Sequence, residues 1–279
     1  MPPSAPTSTS TTADPRLDLP HWWEGRLQSL AAPPAPAVAP RTGCYTTARV
    51  VAGAPRWLDR HLRRLRRDAR RLGLDPPPEA ECRRALVELA GAAFPSGEGV
   101  VRLELRPQAR GSGCLVGTAR PLGPEADTWS AVLSKLPHPG VRAGAGSGAK
   151  LSGREFLEGA RELARSSGVD EALLLDGRGF LVEGARTNLV VAGEAGEPST
   201  PPLARGGVAG LAREVIVAGM PELREADVDR AGLGRARELI ALNAVRGARP
   251  ITRLDGRPVG DGRPGPLARR LAAILAASG

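Results

Sequence analysis

The chain has 279 residues, 41% apolar and 25% charged, enough for one large or two modest domains with real cores. Thirty-nine Lys+Arg against 30 Asp+Glu give a formal charge of +9, which raises a nucleic-acid partner. No apolar run approaches the roughly 18 to 20 residues that span a bilayer, and the N-terminus lacks the basic flank and apolar stretch of a secretory signal; the expectation is a cytoplasmic protein with no membrane partner. The basic residues themselves argue against nucleic acid. Only Lys135 and Lys150 are lysines and all other basic residues are arginines, a drift in which Arg replaces Lys wherever charge alone suffices. A surviving lysine is then a candidate for chemistry that a guanidinium cannot do. Cys44, Cys82 and Cys114 are odd in number and form no CxxC pair, so they read as reduced, mostly buried thiols.

Residues 1–20 are rich in Ser, Thr and Pro and read as a disordered tail. The segment His21 to Leu27 reads as an edge strand or a tethered piece, cut off by the Pro/Ala-rich stretch Ala31–Pro40. A strand follows over Cys44–Val51, then a helix whose apolar stripe is Leu58, Leu62, Leu65, Ala69 and Leu72, with arginines on its other faces. A second helix from Pro78 to Ala93 and strands at Val100–Leu105 and around Cys114–Ala119 complete a small N-terminal α/β domain over 21–119. Residues 120–128 read as a linker, and 129–279 as a larger domain. There Ala131–Leu133 is apolar, the glycine-rich Gly140–Gly148 leads to Lys150, and Phe156, Leu157, Ala160, Leu163 and Ala164 mark a helix. A hairpin over Glu171–Leu175 and Phe180–Glu183 turns at Asp176-Gly177-Arg178-Gly179. Strands at Thr187–Val191 and Glu238–Asn243, a helix after Gly210 and an amphipathic helix over Pro264–Ala277 finish the chain.

Lys150 stands out by composition, a solvated surface lysine being the plain alternative. Glu183 lies between Phe180-Leu181-Val182 and Leu189-Val190-Val191; a carboxylate buried there needs a hydrogen-bond or charge partner, and a protonated heterocyclic nitrogen would serve. An exposed hairpin glutamate remains open. Gly206, Gly207 and Gly210 precede a helix, where free amides can meet a phosphate, although turn chemistry alone explains such glycines. The arginines from Arg60 to Arg71 read as a solvated face rather than a nucleic-acid surface. His21, His61 and His138 lie far apart without a ligand pattern, which supports neither a metal site nor a catalytic triad.

Together, Lys150, Glu183-Gly184 with Asn188-Leu189, the Pro201-Pro202-Leu203 run and the glycine-rich helix start resemble the class IV, or fold type IV, pyridoxal-phosphate enzymes. That family includes branched-chain and D-amino-acid aminotransferases and 4-amino-4-deoxychorismate lyase. Gly43-Cys44-Tyr45-Thr46-Thr47-Ala48-Arg49-Val50 and His61-Leu62-Arg63-Arg64-Leu65 are similar to the family's first strand and following helix, the former nearer the lyases. The resemblance implies a mixed α/β (α+β) fold of two domains, D-amino-acid aminotransferase-like, with a barrel-like sheet in the larger domain, and pyridoxal 5'-phosphate (PLP) as cofactor.

By that resemblance Lys150 carries the cofactor on its amine and then moves protons, and Glu183 pairs with the pyridine nitrogen. Arg64 holds the phosphate together with the amides of Leu211 and Ala212 and the turn at Asn243 and Ala244. Ala212 and Gly153 replace residues the family often uses as Thr and Asn. Ala31–Arg41 lacks the usual Asp-Arg-Gly and Gly-Asp-Gly approach, and Arg106 to Gly111 matches the Arg-Gly substrate loop only loosely. Thr46 and Thr47 match strand hydroxyls near the substrate of the lyases, with plain strand formation as the alternative role. The implied activity is a PLP-dependent lyase giving 4-aminobenzoate and pyruvate from aminodeoxychorismate, for folate synthesis. The alternative is a class IV aminotransferase of branched-chain or D-amino acids, which Gly256–Pro266 resembles. A homodimer acting on a small amine substrate is implied in either case.

Overall fold

The structure is a computed structural model and describes residues 19–28, 42–108, 113–140 and 148–279. Most of the tail, the stretch Ala31–Pro40, the loop segment Ala109–Gly111 and most of the glycine-rich approach to Lys150 fall outside them.

Two sheets and six α-helices make up the described residues. β1 (His21–Trp23) and β2 (Arg26–Gln28) form a hairpin. Trp22 is fully buried, so this segment is an edge hairpin and not a loose tether. β3 (Cys44–Val51) and β4 (Ala54–Pro55) lead into α1 (Leu58–Arg71) and α2 (Glu79–Ala93), followed by β5 (Gly99–Pro107) and β6 (Gly113–Pro121). The six strands run in the order β2-β1-β6-β5-β3-β4. Leu62, Leu65 and Ala69 of α1 and Ala85, Leu86 and Leu89 of α2 bury against alternate residues of β3 and β5, including Ala48, Val101 and Leu103.

The second sheet has nine strands: β7 (Trp129–Leu133), β8 (Glu171–Leu175), β9 (Leu181–Gly184), β10 (Asn188–Ala192), β11 (Pro198–Thr200), β12 (Arg224–Glu225), β13 (Glu238–Asn243), β14 (Gly247–Leu254) and β15 (Arg257–Pro258). Their order is β12-β11-β10-β13-β14-β7-β8-β9, with β15 beside β14. β8, β9 and β10 are buried along their whole length. α3 (Glu155–Ser166) packs on β8; α4 (Leu211–Gly219) and α6 (Pro266–Ala277) pack together beside β13 and β14; the short α5 (Arg230–Gly234) is capped by Asp229.

The composition does not announce β14, an eight-residue strand at the centre of this sheet. Its sequence GARPITRL holds no continuous apolar run, and Pro250 interrupts it. The pairing with parallel β7 shifts register between Ile251 and Arg253, just after the proline.

The segment carrying Lys150 is stitched to β3, to α1 and to the loop before α4. Tyr45 N donates to Lys150 O at 3.0 Å and Ser152 N to Gly43 O at 2.9 Å, extending the edge of β3. Lys150 N donates to Asp68 Oδ2 on α1 at 2.9 Å, and Ala209 N to Gly148 O at 2.8 Å.

Candidate active site

The face of α1 turned inward explains much of the site. His61, Arg64 and Asp68 recur at helical spacing among Leu62, Leu65 and Ala69, and all six are buried. Three polar side chains on a buried helix face need partners. Asp68 finds the Lys150 amide. Arg64 donates to Thr46 Oγ1 at 2.6 Å, so the threonine hydroxyl hydrogen is free to go to His61 Nδ1, also at 2.6 Å. His61 is therefore neutral, and burial, reinforced by Arg64 and Lys150, holds its pKa well below the usual histidine value.

Thr46 consequently does not line the cleft. Successive strand residues face opposite sides, and Thr46 points with Cys44 and Ala48 toward the helices, while Tyr45 and Thr47 point the other way. Of the two threonines Thr47 alone borders the cleft, and Thr46 accepts from Arg64 instead.

Between the sheets lies a cleft of about 860 Å³. Lys150, Glu183, Arg64, Thr47, Leu211, Asn243 and Ala244 all border it. Ala212 does not; its methyl packs with Val215, Ile216 and Leu271 between α4 and α6. The Lys150 amine sits 4.9 Å from the centre of the Tyr45 ring. Burial draws its pKa below the usual lysine value; Tyr45 and Glu183 oppose this, and Arg64 and Arg161 add to it. Tyr45 borders the cleft as well, a residue that the strand pattern conceals. Burial raises its pKa, but Lys150, Arg102 and Arg161 more than offset this and leave the phenol below its usual value. The Arg102 guanidinium stacks on the same ring, 3.6 Å from its centre.

Glu183 is buried at the end of β9, and each of its oxygens has a donor. Val208 N donates to Oε2 at 2.8 Å, and His138 Nε2 lies 3.3 Å from Oε1. His138 Nδ1 accepts from Gly140 N at 3.0 Å, which leaves the ring proton on Nε2, directed at the carboxylate. The histidine that looks isolated in sequence thus orients the glutamate from 45 residues away. Gly184 makes room for this corner: a Cβ there would stand 2.3 Å from Thr187 Oγ1, whose hydroxyl donates to buried Glu171 at 2.9 Å.

The start of α4 has no side-chain cap, so its first amides lack intrahelical acceptors. Asn188 fixes their approach, donating from Nδ2 to Val208 O at 2.8 Å; its Oδ1 lies only 2.0 Å from where a Cβ on Gly210 would be. Asn243 Oδ1 accepts from Val245 N and Arg246 N at 3.0 and 2.7 Å, closing the neighbouring turn. Arg64 Nε is buried without a hydrogen-bond partner. An orphaned guanidinium nitrogen near uncapped helix amides fits a phosphate, a buried carboxylate fits a ring N–H, and an amine of lowered pKa fits an aldehyde.

Residues 43–254 match amino-transferase class IV. The chain belongs to the aminotransferase class IV family. The cofactor of this family is PLP, and the residues just described suit it. The branched-chain-amino-acid aminotransferase of Escherichia coli K12 is 33% identical over 112 residues, 39% of this class IV chain and 36% of that protein, so the match spans about a third of the relative's length. In fold, a branched-chain aminotransferase from Thermoproteus uzoniensis, solved with norvaline, superposes with a TM-score of 0.77 at 24% identity, covering 92% of this chain and 93% of that one. A PLP-bound hypothetical aminotransferase from Mycobacterium tuberculosis gives 0.72 at 21% identity over 85% and 88%. The mixed α/β architecture expected from the sequence is that of these class IV neighbours. The lyase expected from the first strand has no counterpart among them, and the aminotransferase alternative fits better. No helix of the described residues is long and apolar enough to cross a membrane, and no group of three or more His, Cys, Asp or Glu among them could hold a metal ion.

Proposed function

We propose that the protein is a PLP-dependent aminotransferase taking its amino group from branched-chain or similar apolar amino acids. The observation that carries this reading is the Lys150 amine, drawn below its usual pKa in a cleft bordered by Glu183 at one side and Arg64 with the α4 amides at the other. The names of the sequence relatives supply the substrate class. When bound, PLP supplies an electron sink for the pair left behind as the amine-bearing carbon loses its proton.

The chain's own residues do the rest. Lys150 Nζ would take the proton from that carbon and carry it to the far side of the C–N bond, a task favoured by the lowering of its pKa through burial. Glu183, held by His138 and Val208, offers an oxygen to the ring nitrogen. Arg64 and the amide of Leu211 would grip the phosphate, with Asn243 and Ala244 on the second side. Val100, Leu157 and Trp129 give the cleft apolar wall for a substrate side chain.

The test is purified protein loaded with PLP and assayed for keto-acid-dependent transamination from L-leucine, L-valine and their D-forms. In parallel, aminodeoxychorismate is offered and 4-aminobenzoate and pyruvate are sought. Lys150→Ala should abolish the borohydride-fixable adduct and lower turnover by several orders of magnitude; an adduct surviving in that variant sinks the lysine assignment. Thr47, whose hydroxyl lies at the cleft, keeps the lyase as the second reading, and product formation in the parallel assay would favour it. We also propose a homodimer, to be read from the mass in solution by light scattering.

A further inference from the structure

The outer face of α1 carries charge that the cleft does not use. Arg60, Arg63, Arg67 and Arg70 follow one another at spacings of three and four residues, so they stand in one row along the helix, with Arg66 beside them. They border a groove of about 410 Å³, together with Glu79 of α2 and Glu214 of α4. Only Arg64 is common to this groove and the cleft. Three of the five outer arginines have carboxylate partners: Arg60 with Glu214 at 2.6 Å, Arg66 with Glu79 at 2.6 Å and Arg67 with Asp68 at 3.0 Å. Glu79 is shared with Arg83 at 3.5 Å. The side chains of Arg63 and Arg70 have no hydrogen bond or ion pair among the described residues. Donors are left over even on the paired arginines: Arg66 Nε and Arg67 Nη2 are buried and have no hydrogen-bond partner among the described residues. Like charges at this spacing repel, and buried N–H groups without acceptors are costly, so an anion rich in oxygens stabilises this face.

Three features select the anion. From Arg63 to Arg70 the row covers about 10 Å along the helix axis, more than a single phosphate or carboxylate reaches. Two guanidiniums without counter-ions call for at least two negative charges, and their planar forks suit phosphate oxygens. No aromatic side chain lines the groove, which leaves nucleic-acid bases without a surface to stack on. We propose that this groove binds the polyphosphate chain of a small nucleotide-type anion, with Arg63 and Arg70 gripping its two ends. The phosphates are held and the rest of the molecule stays in solvent, so inorganic triphosphate is a sufficient probe. The site stands apart from Lys150 and does not depend on the proposed transaminase reading.

The experiment is calorimetric titration of the PLP-loaded protein with inorganic triphosphate and with orthophosphate at fixed ionic strength. Triphosphate should bind at one site per chain, about tenfold or more tighter than orthophosphate. Arg63→Gln and Arg70→Gln should each weaken it about tenfold, the worth of a charge-assisted hydrogen bond. Both positions are exposed, so the core is undisturbed. Arg263→Gln removes the same charge from an exposed position elsewhere and should leave the affinity unchanged. Absence of saturable binding, no preference over orthophosphate, or an equal loss in Arg263→Gln overturns the inference. So does tighter binding of a uridine oligonucleotide than of triphosphate, which would make the face a nucleic-acid surface. Arg63 and Arg70 do not border the cleft, so a protein that fails to transaminate sinks the proposed function and leaves this titration readable.

Discussion

Tyr45 is packed among cations, with the Arg102 guanidinium 3.6 Å and the Lys150 amine 4.9 Å from its ring centre. Tyr45 raises the lysine's pKa against the lowering by burial and Arg64. Tyr45→Phe removes that opposition, so the amine should lose its proton at still lower pH. The apoprotein's rate of PLP uptake, which needs the neutral amine, should then reach its plateau at lower pH than in wild type. Stopped-flow absorbance across pH measures this, and a plateau that stays put or moves up contradicts the assignment. The thiols behave differently: burial pushes Cys44 and Cys82 up to about 12, which makes them inert packing rather than nucleophiles. The place of Lys150 at the cleft is legible in the sequence because only two lysines compete for it. His61 and Asp68 are less so, since a helix crowded with arginine hides a polar stripe at three- and four-residue spacing. Tyr45 is hidden for another reason: an aromatic in a strand of β-branched residues looks like core until its neighbours across the cleft are known.

Elements show the same division. Helices with a clear apolar stripe, such as α1, and strands with apolar runs, such as β8 and β10, can be read from periodicity. β14 cannot, because its place between β13 and β7 comes from long-range pairing and not from local propensity. A second case is the start of α6, where Gly265 provides no cap. Glu238 on β13 caps it from a distance, accepting from Leu267 N at 2.9 Å and Ala268 N at 3.0 Å. A carboxylate there also meets the positive end of the helix dipole. Glu238→Ala should cost about 1 to 2 kcal/mol of stability, and Glu238→Gln, which keeps one acceptor, less. Thermal unfolding followed by calorimetry checks the order, and equal losses for the two variants would refute distant capping.

At the scale of the molecule, one residue joins the two sheets behind the cleft. Trp57 precedes α1 with φ 56°, a left-handed conformation that a bulky side chain adopts only when its surroundings hold it there. Its ring packs among Leu211, Ile216, Leu271 and Leu275, and its Nε1 donates to Ser278 O at 2.8 Å. Arg56 beside it donates to Leu275 O. The helix that bears Arg64 and Asp68 is thereby fastened to the helices beside the other sheet. Trp57→Phe keeps the buried ring and loses the N–H donor, at about 1 kcal/mol. Hydrogen exchange should quicken at both the first turn of α1 and the last turn of α6. A change confined to one of them would show that the two ends are not coupled.

The scarcity of lysine has a practical side. Lys135 is exposed on the loop after β7, whereas Lys150 stands at the cleft. Apart from the α-amino group, these are the only amines that acylating or reductive-alkylating reagents can find. Intact-mass spectra taken with and without a ligand in the cleft would therefore report protection of a single side chain directly, with no need for a second label or an engineered handle.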